Sequence, residues 1–232
     1  MTNNLLRIKV QQRLNKLGSF DYDNIECWQI MEAVNKSQRE IFRRQVHGIN
    51  LRKEGAEQSL NLIDDLQKFV TITELNGENK PTFFESTEIP TEYAYFIKVS
   101  VTGDKEDCKN RSFKVYLAEE ANADILLTDP HKGPSFEWGE TFATMHDNKV
   151  RVYTNGEFHV EKISLSYYRK PLDVTFEGCI NPSTGAESSD QECEFRDDFT
   201  ELIIDGAVAI LAGGIESMNQ YQIAENSVQK ST

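Results

Sequence analysis

The fold is decided by two stretches of sequence near opposite ends of the chain, namely Trp28-Gln29-Ile30-Met31-Glu32-Ala33-Val34-Asn35-Lys36 and Cys193-Glu194-Phe195-Arg196-Asp197-Asp198-Phe199-Thr200-Glu201-Leu202-Ile203-Ile204-Asp205. Both are typical of the start of an amphipathic helix. The sequence between them alternates apolar and polar residues as strands do. We therefore expect an α+β fold, with a helical body built from both termini and an inserted antiparallel β domain.

The expected domain boundaries follow from this change of pattern. Residues 1–70 and 192–232 are predicted to form the helical bundle body, and residues 71–191 the inserted β domain. Residues 178–191 are rich in Ser, Asn, Pro and Gly and have little to bury, so this stretch is predicted to be a mobile loop.

Four helices are predicted in the body. Leu6, Val10, Leu14 and Leu17 recur every three or four residues and indicate a first helix over residues 4–17. The others are predicted over residues 23–48, over residues 54–70 and from residue 197 to about residue 215. The last one is rich in small residues, including Gly206, and this composition favours close packing against another helix.

The predicted strands of the β domain are residues 93–101, 112–117, 136–145 and the two arms of a hairpin at Asn155-Gly156. Asn-Gly favours a tight turn with positive φ. After the turn the apolar residues switch from even to odd positions, from Phe158 and Val160 to Ile163. A β-bulge near residues 161–162 would keep all of them on one face.

Composition excludes several classes of protein. With 25 Lys and Arg against 38 Asp and Glu, the net charge is −13, which disfavours binding DNA by neutralising its phosphates. The spacing of Cys27, Cys108, Cys179 and Cys193 indicates neither a metal site nor a disulfide framework, so reduced thiols are expected. No apolar run is long enough for a membrane span or a signal peptide, and we expect a soluble protein made in a cytoplasm.

A catalytic site is not indicated. The sequence contains no phosphate-binding loop, dinucleotide fingerprint, nucleophile elbow or zinc-protease motif. Its four histidines are scattered. Three acidic pairs, Asp64-Asp65, Glu119-Glu120 and Asp197-Asp198, are open to a hydrolase interpretation, but adjacent residues on a helix point in different directions, so solvated charge explains them better. No catalytic residue, metal ligand or cofactor is predicted.

Several short motifs, taken in order, resemble the ring proteins of crAss-like phages, which are short-tailed phages of gut bacteria. They run through nearly the whole chain: Leu14 to Leu17, Trp28 to Ile30 with Ala33, Asn35 and Lys36, Arg43 to Gln45 with His47-Gly48, Ile63 to Gln67, Ser135 to Trp138 with Glu140 to Phe142, Val152 to Thr154, Tyr167 to Arg169 with Pro171, and Cys193 to Phe195 with Glu201 to Asp205 and Ile215 to Ser217. More loosely, the layout is similar to the tail tubular or gatekeeper adaptors of other short-tailed phages.

The resemblance implies a structural role in the virion neck, with assembly in the cytoplasm of a host bacterium. It implies a homododecameric ring that joins the portal to adjacent ring or tail proteins and surrounds the DNA exit channel without binding DNA specifically. Trp28, Arg43, Tyr168 and Arg169 are the candidate assembly residues. A tail-fibre or cargo adaptor away from the DNA axis is an alternative, and a hydrolase that uses the acidic pairs is a more distant one.

Overall fold

A computed structural model describes residues 1–15, 25–47, 66–180, 185–214 and 226. Three long helices and eight strands account for most of the described residues. Their order along the chain is α1 (Asn3–Asn15), α2 (Cys27–His47), β1 (Val70–Leu75), β2 (Gly77–Asn79), β3 (Phe83–Ser86), β4 (Tyr93–Lys105), β5 (Cys108–Leu117), the short helix α3 (Ala123–Thr128), β6 (Glu140–His146), β7 (Lys149–Tyr153), β8 (His159–Arg169) and α4 (Asp197–Gly214).

The chain divides into two compact units. The terminal unit comprises residues 1–67 and 171–232, and the sheet unit comprises residues 68–170. These units are defined by contacts within the chain. The predicted boundaries at residues 70 and 192 are boundaries between domains that fold independently, and they stay a prediction.

In the terminal unit, α4 packs against both α1 and α2. The buried positions of α1 are Leu6, Val10 and Leu14, which recur every four residues as the sequence predicts. Lys9 and Arg13 on the same helix form ion pairs with Glu201, and Arg13 also pairs with Asp205. Apolar packing and a cluster of opposite charges therefore both hold α1 against α4.

The contact between α2 and α4 is close because Gly206 has no side chain. Ser37 of α2 is buried and donates a hydrogen bond from its hydroxyl to the Ile203 carbonyl oxygen at 2.9 Å. A Cβ atom added at Gly206 would lie 2.2 Å from the Ser37 hydroxyl oxygen. The small-residue surface of the last helix thus has the packing role that the sequence predicts.

The sheet unit is a single mixed sheet that curls back on itself. Its strand order is β1-β8-β4-β5-β6-β7-β3-β2, so the two end strands, β1 and β2, are consecutive in the chain and separated only by Asn76. The Asn79 side chain bridges the ends: its amide nitrogen donates to the Val160 carbonyl oxygen at 2.9 Å, and its oxygen accepts from the Val160 N–H at 2.9 Å. The side chain of Asn79 in β2 thus makes, to Val160 of β8, the two hydrogen bonds that a neighbouring strand would make with its backbone.

The predicted bulge in β8 is confirmed. Thr102 of β4 faces Lys162, whereas Gly103 faces Val160, so Glu161 is the extra residue. The apolar side chains on both sides of this bulge are buried in one core, namely Phe158, Val160, Ile163, Leu165 and Tyr167.

The hairpin predicted at Asn155-Gly156 is wrong in its pairing. Both residues have positive φ, 50° and 74°, as predicted for the turn. However, β7 pairs with β6 and β3, while β8 pairs with β1 and β4. The tight turn joining two paired strands lies instead at Asp147-Asn148, between β6 and β7, where φ is 46° and 57°.

The predicted fold class is wrong. The largest part of the structure is the eight-stranded sheet, which is mixed because β5 and β6 run parallel. Residues 118–139, including α3, connect these two strands, as a parallel pair requires. The helices are also not a simple body from both termini, since residues 171–180 and 185–196 lie in the same unit in largely irregular conformation. Only the broad mixture of helix and strand agrees with the prediction.

The helix predicted over residues 54–70 is only partly testable. Residues 54–65 lie outside the described residues, and Val70 belongs to β1. The strand predicted over residues 136–145 begins only at Glu140, after a tight turn. The predicted mobile loop at residues 178–191 also includes undescribed residues, 181–184. Isolated bridges pair residues 175–180 with residues 187–191.

Two buried threonines of β6 differ in whether the hydroxyl group has a hydrogen-bond partner, so substituting each one tests what that bond contributes to stability. Thr141 and Thr144 are both fully buried, and the Thr141 hydroxyl donates to the Tyr153 carbonyl oxygen. The Thr144 hydroxyl has no hydrogen-bond partner among the described residues. Thr144→Val should therefore raise the free energy of unfolding by about 1 kcal/mol, and Thr141→Val should lower it by about 1–2 kcal/mol. Urea unfolding measures both; equal effects of the two substitutions would contradict the hydrogen-bond assignment.

Candidate assembly surfaces

The acidic pairs that were candidates for hydrolysis are largely occupied by ion pairs. Asp197 accepts from the chain's amino terminus at 2.8 Å, and this hydrogen bond lowers the pKa of its carboxyl group. Asp198 lies 3.6 Å from Arg196, and Glu120 lies 3.3 Å from Arg151. The pair Asp64-Asp65 lies outside the described residues. Ion pairs within the units therefore occupy Glu120, Asp197 and Asp198.

Metal binding is also not indicated in the part of the chain that the structure covers. Within that part, no group of three or more His, Cys, Asp or Glu side chains is arranged to hold a metal ion. A surface cavity of about 310 Å³ lies beside the bulge in β8, and its lining includes Glu74, Asn76, Asn110 and Lys162. Two of these lining residues, Lys162 and Glu74, form an ion pair with each other.

Two exposed apolar side chains and two half-buried tyrosines lie on one side of the sheet unit, at β1 and the strands beside it. Val70 of β1 lies opposite Tyr168 of β8, which lies opposite Tyr95 of β4. Ile72 follows Val70 on the same side of β1, since strand side chains alternate. Val70 is 41% exposed and Ile72 is 67% exposed. We call the surface formed by Val70, Ile72, Tyr95 and Tyr168 the Ile72 face.

Tyr168 and Arg169 are therefore placed differently, although they are consecutive. Tyr168 belongs to the Ile72 face, where partial burial raises the pKa of its phenol. Arg169 points to the other side of the strand, as alternation requires. Its guanidinium lies 5.4 Å from the centre of the Phe69 ring, a cation–π contact within the sheet unit.

Trp28 and Arg43 both lie on α2. Trp28 is half-buried and donates its indole N–H to the Glu26 carboxylate. Arg43 is exposed, as are Lys36 and Arg44, and the exposed Glu40 lies among them on the helix. Trp28 and Arg43 are about 22 Å apart along the helix axis at 1.5 Å per residue. The four candidate assembly residues thus do not form one cluster, and their role in assembly stays a prediction.

Sequence reasoning missed Val70 and Ile72 because it ended a helix at Val70 and predicted no strand before Tyr93. The signal was present in Val70-Thr71-Ile72-Thr73-Glu74-Leu75, where β-branched residues dominate, as strands favour. It also missed Trp138, which is 82% exposed in the turn that closes between Ser135 and Glu140.

The cysteine prediction is wrong for two of the four residues. The structure pairs Cys27 and Cys179, both in the terminal unit, as a disulfide with Cα atoms 5.9 Å apart. Cys108 is an exposed thiol and Cys193 a buried one. The 152-residue separation of the bonded pair explains why local spacing did not reveal it.

None of the described helices combines the length and the apolar character needed to cross a membrane. No protein-family model matches the chain, and no curated protein matches its sequence.

Proposed function

We propose that this chain is a non-enzymatic structural protein of a phage virion, and that it forms a homododecameric ring in the neck. The ring would connect the portal to adjacent ring or tail proteins and surround the DNA exit channel. The resemblance in sequence motifs suggests this role. The observation that carries the proposal is the Ile72 face, where the exposed Val70 and Ile72 lie on the same side of the sheet as the half-buried rings of Tyr95 and Tyr168, because subunit contacts bury apolar and aromatic residues of this kind.

The charge of the chain suits a channel that DNA passes through. Twelve copies at −13 each would carry −156. A surface of that sign repels the phosphate backbone, so DNA would slide past it without being held. The proposal therefore includes enclosure of DNA and no sequence-specific contact with it.

A closed ring also needs two different surfaces on each subunit that fit each other. The Ile72 face is one candidate. The exposed cations Lys36, Arg43 and Arg44 of α2 are a second candidate, because a neighbouring copy carries a net charge of −13.

Ile72→Lys should prevent assembly while leaving the subunit folded. Ile72 is already exposed, so the substitution removes little core packing, but it would place a charge in the proposed contact. The matched control is Ile125→Lys on α3, because Ile125 is 66% exposed and belongs to the same unit but not to the Ile72 face. We expect incorporation into virions to fall at least about tenfold for Ile72→Lys only, consistent with the loss of a buried contact residue.

The measurement is competition between tagged variant and wild-type chains during infection, with the melting temperature of each purified variant as the check on folding. Equal incorporation of the two lysine variants would mean that the Ile72 face is not a subunit contact.

The proposed role itself is tested by counting copies in purified virions with quantitative mass spectrometry. A homododecameric ring predicts one copy of this chain for each subunit of a twelvefold portal. A chain that is absent from virions, or present at the copy number of a tail fibre, would contradict the proposal.

A further inference from the structure

The segment that follows β8 is fastened along α2 by side chains of that helix. Gln38 donates its amide N–H to the Leu172 carbonyl oxygen at 2.8 Å. The Asn35 side chain donates to the Val174 carbonyl oxygen at 2.9 Å and accepts from the Val174 N–H at 2.7 Å. Arg39 binds both carboxylate oxygens of Asp173 at 2.8 and 2.9 Å. Residues 172–174 are thus held without any covalent link.

Beyond this point the chain turns back on itself as a narrow ribbon formed by residues 175–180 and 187–191. Thr175 and Gln191 exchange backbone hydrogen bonds of 3.2 and 2.9 Å. Farther out, the Ser188 N–H donates to the Cys179 carbonyl oxygen at 2.8 Å, and the Gly178 N–H donates to the Ser188 carbonyl oxygen at 3.3 Å. A two-stranded ribbon of this length is marginal on its own.

The outer part of the ribbon is tied covalently to the helix where Cys179 bonds to Cys27. Cys27 is the first residue of α2 and is half-buried, whereas Cys179 is 3% exposed. A reagent in solution therefore reaches the Cys27 sulfur more easily. The helix N-terminus also favours an anion there, which is the form of a thiol that reacts.

We propose that the Cys27–Cys179 pair is a redox-sensitive latch on this ribbon. In the oxidised state the disulfide holds the outer ribbon against α2. In the reduced state residues 172–174 stay fastened by Asn35, Gln38 and Arg39, while the outer ribbon is released. This inference does not depend on the proposed ring, although a protein made in a reducing cytoplasm and carried in a virion would pass through both states.

The chemistry is thiol–disulfide exchange with a low-molecular-weight disulfide such as oxidised glutathione. The Cys27 thiolate attacks one sulfur of that disulfide, forms a mixed disulfide and releases one glutathione thiolate. The Cys179 thiolate then attacks the Cys27 sulfur, which forms the protein disulfide and releases the second glutathione. Two protein thiols are oxidised, and one molecule of oxidised glutathione is reduced to two thiols.

Cys193 is a natural internal control. Its thiol lies 3.5 Å from the Gln38 side-chain oxygen, and burial raises the pKa of this thiol. It should therefore react slowly with the same reagent. Cys108 is exposed and is replaced by Ser in the test protein to prevent cross-links between molecules.

The test is hydrogen exchange of Cys108→Ser protein, followed by NMR or mass spectrometry, in buffers of reduced or oxidised glutathione. Differential alkylation of the same samples establishes which thiols are bonded. Reduction should speed exchange at Gly178 and Ser188 by about tenfold or more, because their hydrogen bonds then depend on the ribbon alone. Exchange at Val174 and in α4 should not change. Adding Cys27→Ser should produce the fast pattern in both buffers.

Three results would overturn the proposal. Alkylation of both Cys27 and Cys179 after equilibration with oxidised glutathione would exclude the bond. Exchange at Gly178 and Ser188 could be the same in both states, which would exclude a latch. Reduction could instead speed exchange at Val174 and throughout α4, which would make the disulfide a requirement for folding.

Discussion

Gly206→Ala is expected to lower the free energy of unfolding by about 2 kcal/mol, although alanine is the better helix former by about 1 kcal/mol. The new methyl group would lie 2.2 Å from the Ser37 hydroxyl oxygen and 3.2 Å from its Cβ atom. Ser37 cannot yield easily, because it is buried and its hydroxyl is bonded to the Ile203 carbonyl oxygen. Either the helices move apart or this hydrogen bond is lost.

Ser37→Ala supplies the test of that mechanism. Alone it should cost about 1 kcal/mol through the lost hydrogen bond. Combined with Gly206→Ala it should recover at least about 1 kcal/mol relative to the sum of the two single effects, because the clashing oxygen is gone. Gly213→Ala, at an exposed position of the same helix, should be neutral or stabilising. Urea unfolding of all four variants measures these energies; stabilisation by Gly206→Ala would show that the helices are not in close contact.

Arg13→Ala is expected to lower the free energy of unfolding by about 2 kcal/mol near pH 7, and by less than about 1 kcal/mol near pH 3. Arg13 pairs with both Glu201 and Asp205, and it also donates to the Glu201 carbonyl oxygen at 3.1 Å. Its removal leaves two partly buried carboxylates on one face of α4, and among the described residues Lys9 remains as a cationic partner of Glu201.

The sign of the pH dependence follows from the two carboxyl groups. Burial acts to raise the pKa of Glu201, but Lys9 and Arg13 together lower it, so its ion pairs stabilise the fold at neutral pH and lose this effect as the pH falls through its pKa. Burial raises the pKa of Asp205 in spite of Arg13, so ionised Asp205 costs stability at neutral pH and protonation in acid relieves it. Acid therefore neutralises both Glu201 and Asp205, so the loss of the Arg13 charge matters less at low pH.

The measurement is urea unfolding of wild type and Arg13→Ala across this pH range. Asp205→Asn in the Arg13→Ala background is the control, because it removes the more buried of the two carboxylates that Arg13 binds and should restore part of the loss near neutral pH. A loss that is the same at both pH values would mean that Arg13 acts through packing of its aliphatic stem and not through charge.

Local patterns were sufficient where neighbours in sequence are neighbours in space. The four-residue spacing in α1 identifies its buried side, and the change of parity after Val160 identifies the bulge at Glu161. Each of these signals depends on a few consecutive residues, because the periods of helix and strand are local properties.

Pairing between distant segments is what the sequence did not reveal. Asn155-Gly156 has the backbone of a tight turn, but the strands on either side leave it to pair with β3, β4, β6 and β1. The parallel contact of β5 with β6 and the bond between Cys27 and Cys179 are likewise set by the closing of the whole sheet and by the packing of the terminal unit. The exposed Ile72 was missed for a related reason, since β1 is an end strand whose pairing with the distant β8 was not predicted.

The central claim is that this chain forms a ring around DNA, and a cryo-EM reconstruction of the virion neck tests it most directly. The account predicts twelve copies in a closed ring coaxial with the DNA channel, with Ile72 and Tyr168 buried between neighbouring subunits. Density for this chain away from the axis, or a neck without it, would contradict the account.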